Sequence, residues 1–193
     1  IRTPLSGIIG FTKILLRGNI TEKQKEQLTT IKISSDILLV VINDILDLAK
    51  IEAGKMILEE TELNVRHLTN SILSTFELRL QEKEQTLHTH FDESIPECAL
   101  GDPVRINQIL LNLVGNAIKF TNKGGAINVY VNLLKQDDDT VILEFIISDT
   151  GIGILEEKIE NIFDPFIQSN SNTSRLYGGS GLGLNIVKQL IDL

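Results

Sequence analysis

The first 55 residues carry apolar side chains at helical spacing with few breaks. Leu5, Ile8, Ile9, Leu15 and Leu16 fall near one face of a first helix, and Gly18 is its stop. Thr21 followed three residues later by Gln24 is a capping-box pattern, and it opens a long second helix to about Ala53 that Gly54 ends. Leu28, Ile31, Leu38, Ile42, Ile45 and Ala49 follow heptad spacing, with Ser35 as a polar interruption. Ile37, Leu39, Val40, Val41, Leu46 and Leu48 widen that stripe beyond what a two-helix hairpin can cover. Two hairpins packed as a four-helix bundle would cover it, which predicts a homodimer through residues 1–55.

From residue 56 onward the pattern becomes α+β. "KMILEETEL" holds a short strand, and 64–82 read as helical. "TLHTHF" alternates as a strand does, with Leu87 and Phe91 bracketing His88 and His90. "DPVRINQILLNLVGNAIKFT" is a helix capped by Asp102 with Pro103 at its first position. "AINVYVNLL" and "TVILEFIISD" are two strands joined by a polar turn. A short helix near 155–161 follows, then the Ser/Asn/Gly-rich "QSNSNTSRLYGGSG", and "LGLNIVKQLIDL" restarts a helix.

Composition narrows the classes. A chain of 193 residues suits one large domain or two small ones, here residues 1–55 and 56–193. The net charge is −8 without a Lys/Arg cluster, which argues against a nucleic-acid surface. The single Cys98 forms no internal disulfide, and Cys/His metal spacing is absent. Apolar runs such as "ILLVVI" fall far short of a membrane span.

Three stretches carry candidate chemistry. On the helix 102–120, Arg105, Gln108, Asn112, Asn116 and Lys119 fall within about 80° of one another, and Ile106, Ile109, Leu113, Ala117 and Phe120 form a separate apolar face. Asn in mid-helix competes for its own backbone. A stripe of amides ending in Lys suits a polyanion with a metal, since amide oxygens ligate Mg²⁺ and Lys meets phosphate; a solvated face that carries Asn is the alternative. In the next strand, Val141, Leu143, Phe145, Ile147 and Asp149 share a face, so Asp149 is expected at the end of a buried stripe. An unpartnered carboxylate there costs about 2 kcal/mol or more, and the exocyclic amine of a purine would satisfy it. Gly151 and Gly153 permit close backbone approach to a ligand; a turn-initiating Asp followed by flexible glycines is the alternative. Third, "GGSGLGLNIVKQL" runs a Gly-rich loop into a helix start, an anion site that is neither a Walker A loop nor the dinucleotide fingerprint. The polar segment before it suits a mobile lid, from which Arg175 reaches a phosphate.

In this order the three stretches resemble the ATP-binding domain of sensor histidine kinases, a branch of the GHKL ATPases. "NQILLNLVGNAIKFT" resembles the family's N box, "DTGIG" its first Gly box, "IFDPF" its F box and "GGSGLGLNI" its second Gly box, over about 102–190. The resemblance implies a Bergerat-type α+β sandwich that binds ATP and Mg²⁺. Asn116 would hold the metal, with Asn112 and Lys119 beside the phosphates. Asp149 would take the adenine amine, and Gly151 and Gly153 would shape the purine pocket. Gly179, Gly181, Leu182 and Gly183 would let the lid approach the phosphates, and Phe163 would help hold it.

"IRTPLSGIIGF" is similar to the segment after the phosphoacceptor in the family's dimerisation domain, whose motif reads His-Glu-x-Arg-Thr-Pro-Leu. "DLAKIEAGK" is similar to the end of its second helix. The resemblance places the acceptor His two residues before Ile1, so no acceptor is expected within the chain; His67, His88 and His90 match no acceptor position. Thr3 would face the acceptor surface and orient water in the reverse phosphatase reaction. Pro4 is a candidate kink in the first helix. The family fold usually continues past the last helix into further strands, so a C-terminal truncation is expected. The resemblance also implies a response-regulator receiver as partner, a cytoplasmic core, and a parent attached to the inner membrane; the style of the motifs is similar to that of hybrid kinases. Two alternatives stay open: another GHKL ATPase of gyrase, mismatch-repair or chaperone type, and a dimeric nucleotide-binding scaffold without kinase activity.

Overall fold

The computed structural model describes residues 1–137, 140–165 and 181–193. The chain forms two compact units, Ile1–Met56 and Ile57–Leu193.

The first unit is a helical hairpin of α1 (Arg2–Leu16) and α2 (Glu22–Glu52). Both halves of the expected capping box form: Gln24 N–H donates to Thr21 Oγ1 at 3.3 Å, and Thr21 N–H donates to Gln24 Oε1 at 2.9 Å. At its far end α2 closes as a Schellman motif. Gly54 takes φ +62°, its N–H donates to Ile51 O, and Lys55 N–H reaches back to Lys50 O. Pro4 lies in the first turn of α1, where a missing N–H breaks no helical hydrogen bond.

Within one hairpin the buried strip is narrower than the apolar stripe. On α1 it consists of Leu5, Ile9 and Thr12, so Ile8 and Leu15, expected on the same face, turn outward. The Thr12 hydroxyl donates to Ile8 O at 2.7 Å, which satisfies it inside the strip. On α2 the buried residues are Ser35 and Asp44, while the heptad positions Ile31, Leu38 and Ile45 stay nearly half exposed. The residue read as an interruption is thus buried, while these apolar seam positions stay largely exposed.

The second unit begins with β1 (Thr61–Leu63). The helix expected over 64–82 is two: α3 (Val65–Ser74), capped by Asn64 Oδ1 on His67 N–H at 2.8 Å, and α4 (Glu77–Glu82). They part where Phe76 drops into the core and the N–H groups of Thr75 and Phe76 tighten onto Ile72 and Leu73 carbonyls. Then come β2 (Thr86–Phe91), β3 (Ala99–Gly101), α5 (Pro103–Phe120), β4 (Ala126–Gln136), β5 (Val141–Asp149), a turn of helix α6 (Glu156–Ile159) and α7 (Gly183–Ile191). β3, absent from the sequence reading, pairs antiparallel with β1. The main sheet runs β2-β4-β5, with β2 parallel and β5 antiparallel to β4.

Asp102 caps α5 as expected: Oδ1 accepts Val104 and Arg105 N–H at 2.9 and 3.0 Å, and Oδ2 accepts Glu59 N–H at 3.0 Å, tying the helix start to a distant segment. The buried face of α5 is Leu110, Val114, Ala117 and Ile118, the last three of which join the core of the sheet, so Ile109, Leu113 and Phe120, expected to be buried, form its half-buried shoulder. At 100° per residue that buried face lies about 170° from the stripe of Arg105, Gln108, Asn112, Asn116 and Lys119. The core packs Val114, Ala117 and Ile118 against Ile127, Val129 and Val131, the alternating inward positions of β4, and against Leu63, Leu73, Phe76 and Leu80. The amide stripe is left on the far side of the helix from the sheet.

Candidate nucleotide-binding site

Asp149 ends β5 opposite Ile127. The sequence predicts a buried carboxylate; Asp149 is exposed, because the half-buried row of Val141, Leu143, Phe145 and Ile147 runs out of core at the sheet's end. Burial therefore does not compel a ligand here. Its Oδ1 accepts the Gly151 N–H at 2.8 Å and lies 3.4 Å from the Thr121 hydroxyl. Oδ2 takes no hydrogen bond from any described residue.

The turn after Asp149 packs on the end of α5. Ile152 N–H donates to Phe120 O at 3.3 Å. A Cβ on Gly151 would fall 2.5 Å from Phe120 O and 2.6 Å from Asp149 Oδ1, so only glycine brings the backbone this close. Gly153 turns the chain at φ +67°. Thr150 seals the other side: its N–H donates to Ala126 O and its Oγ1 accepts Ala126 N–H, both within about 3.1 Å.

The amide stripe and the Gly-rich helix entry also meet. Gly183, the first residue of α7, lies against Asn112: a Cβ there would sit 2.7 Å from Asn112 Oδ1. Gly181 has φ +72°, and Leu182 is fully buried and offers α7 no side-chain cap. The N–H groups of the first turn of α7 are thus aimed beside Asn112, and a helix start of this kind favours an anion. Asn112, Asn116 and Lys119 are all half-buried. Desolvation holds the Lys119 ammonium below the usual lysine pKa, so an anion beside it would relieve that cost. The Asn116 side chain has no hydrogen-bond partner among the described residues.

Phe163 is tied to α7, since its carbonyl accepts Asn185 Nδ2–H at 2.9 Å and Lys188 Nζ lies 5.9 Å from its ring. Asn185 and Thr121 escaped the sequence reading. A buried Asn on the apolar face of α7 was the available signal for the first; Thr121, just past the helix, carried none. Arg175 and Gly179 lie outside the described residues. Thr3 is exposed in the first turn of α1, in the other unit.

The described residues contain no cluster of three His, Cys, Asp or Glu side chains suited to a metal. Mg²⁺ needs none, since it keeps several waters and takes one or two protein oxygens beside substrate phosphates. The Asn116 side chain, half-buried within the stripe and without a hydrogen-bond partner among the described residues, fits that single role.

Residues 1–54 match the His Kinase A (phospho-acceptor) domain, and residues 101–193 match the histidine kinase-, DNA gyrase B- and HSP90-like ATPase family. The whole chain aligns at 40% identity with the signal transduction histidine-protein kinase BarA of Escherichia coli K12, and spans 21% of that protein's length. The crystal structure of full-length ShkA in complex with AMPPNP superposes at a TM-score of 0.78 with 31% identity, over 98% of this chain and 38% of that one. The histidine kinase ThkA, in complex with the response regulator TrrA, superposes at 0.58 with 26% identity, over 91% of this chain and 50% of that one. The phospho-acceptor match at the hairpin sets the gyrase- and chaperone-like alternative aside, and with an ATPase fold joined to that hairpin the chain belongs to the sensor histidine kinases.

Proposed function

We propose that this chain is a kinase core that binds Mg-ATP and supplies its γ-phosphoryl group to the histidine that the family motif sets just ahead of Ile-Arg-Thr-Pro-Leu. The observation that carries the reading is the seat of Gly183 on Asn112, which puts the α7 start against the amide stripe. Two sequence motifs about 70 residues apart thereby form one anion-binding surface.

At the purine end, Asp149 Oδ1 is held by Gly151 and Thr121, which leaves Oδ2 to accept the adenine amine. Gly151 and Gly153 keep the pocket floor free of side chains. At the phosphate end, Lys119 and Asn112 line the stripe, and Gly181, Leu182 and Gly183 set the first N–H groups of α7 toward it. Asn116 would hold Mg²⁺, which neutralises phosphate charge when bound. Phe163 is fastened to Asn185, and the resemblance gives Gly179 and Arg175, outside the described residues, their roles toward the phosphates.

The transfer is an in-line displacement. An imidazole nitrogen attacks the γ-phosphorus, the bond to the β–γ bridging oxygen breaks, and ADP leaves with that electron pair. The family motif sets the acceptor just ahead of Ile-Arg-Thr-Pro-Leu. Thr3, one helical turn on, would orient water in the reverse reaction. A response-regulator Asp would then receive the phosphoryl group, a reading supported by ThkA's complex with TrrA. The exposed seam of α2 supports a homodimer through the hairpin. No helix of the described residues is long and apolar enough to cross a membrane, which fits a cytoplasmic core whose parent reaches the inner membrane through other regions.

Calorimetry with Mg-ATP tests the site. Asn116→Ala should weaken binding at least about tenfold, the loss seen even for groups one shell removed from a metal. An unchanged affinity would sink the assignment.

A further inference from the structure

The last carbonyls of α5 have no partner within the helix, as at every helix C-terminus. α5 lacks the left-handed glycine that closes α2; its C-cap, Thr121, is extended at φ −80° and ψ 134°. Two side chains from the segment before β2 take the free carbonyls instead. Lys83 Nζ donates to Ile118 O at 2.7 Å and Lys119 O at 3.0 Å, with Thr121 O at 3.4 Å. Gln85 Nε2 donates to Thr121 O at 2.7 Å, with Ile118 O at 3.2 Å and Asn122 O at 3.3 Å. Gln85 is buried, so these donors have no ready replacement in water, and the Lys83 cation sits at the negative end of the helix dipole.

What this grip holds is the side of the site that faces the base. Phe120 O receives Ile152 N–H and touches Gly151; the Thr121 hydroxyl reaches Asp149 Oδ1. The main chain of 118–122 is therefore clamped on one side by Lys83 and Gln85 and bears on the acid-Gly-x-Gly turn on the other. We propose that Lys83 and Gln85 are positioning residues for purine recognition: by fixing the end of α5 they set Thr121 and the Phe120 carbonyl, and through these the direction of the Asp149 carboxylate. Neither touches the nucleotide. The inference rests on Asp149 reading the adenine amine.

The test compares ATP with ITP, which carries an oxo group in place of that amine, by calorimetry with Mg²⁺ on the whole chain. The wild type should prefer ATP. Gln85→Met and Lys83→Met should each lose about threefold to tenfold of that preference, the size of coupling between neighbouring groups, with ITP affinity little changed. Lys83→Arg, which keeps a cation and its donors, should restore the preference. If Gln85→Met does not fold, by thermal melting, Gln85→Asn carries the same expectation. A wild type that does not distinguish the nucleotides defeats the reading of Asp149. A discriminating wild type whose Met variants keep the ATP-to-ITP ratio, or weaken both nucleotides alike, overturns the role given to Lys83 and Gln85.

Discussion

The two units treat their apolar side chains differently. In Ile57–Leu193, Val114, Ile127, Val129 and Val131 are wholly excluded from solvent. In Ile1–Met56, Phe11 keeps 71% of its exposure and Ile37 57%, while α2 buries Ser35 and Asp44. Each unit has side-chain-capped helix starts, Thr21 in one and Asn64 and Asp102 in the other, so local signals do not separate them. Packing does, because most helical stability comes from a covered apolar face. The α/β unit covers its own. The hairpin leaves its seam uncovered, and under the proposed pairing of two hairpins its stability would depend on protein concentration.

The comparison is broken most sharply at that seam. Leu38→Asp puts a charge where the bundle would bury a leucine. It should raise the dimer dissociation constant more than about hundredfold, about 3 kcal/mol, in sedimentation, and leave Mg-ATP affinity unchanged. A wild-type monomer at micromolar concentration would refute the bundle. Ile127→Ala acts on the other side of the contrast. It should cost the α/β unit about 2–5 kcal/mol in urea unfolding and spare the hairpin transition. Loss from both transitions would mean that the units do not unfold separately.

The smallest effects lie at the helix starts. Asp102→Ala should cost about 1–2 kcal/mol, more than Thr21→Ala at about 1 kcal/mol, because Asp102 accepts three backbone N–H groups. Desolvation raises the Asp102 pKa, but N–H donors from Glu59, Arg105 and Val104, with the Arg105 charge, outweigh it and hold the carboxyl below its ordinary value. Its stabilisation is therefore complete above about pH 4 and is lost as pH falls through the folded-state value. The acid limb of unfolding should be shallower in Asp102→Ala than in the wild type. Equal limbs would remove Asp102 from the account of acid stability.

Much of this was legible in the chain. Thr21, Gln24, Asp102 and Pro103 mark helix starts through local chemistry, and the period of two at Ile127, Val129 and Val131 marks the core face of β4. The glycines at 151 and 183 could be located but not explained, since their need arises from Phe120 O and Asn112. Other features had no local signal. Three residues of β3 cannot display a period, and the break before α4 exists because Phe76 finds a core. The exposure of Asp149 depends on where the sheet ends. Lys83 and Gln85 carry no local signal, because the carbonyls they hold lie 33 or more residues away.

That separation bears on how the domain assembles. The Thr61 hydroxyl meets Gly101 O across 40 residues, Lys83 meets Ile118 O across 35, and Thr86 pairs with Ala126 in the parallel ladder. These loops overlap, so closing one shortens the search for the others, and the entropic cost of a single long closure serves all three. The β4–β5 pairing, by contrast, needs only a short closure. Amide exchange at Thr121 should accordingly follow global unfolding of the unit rather than fraying. A partly folded chain can hold a hairpin yet lack the proposed purine site, so ATP would be a ligand only of the finished domain.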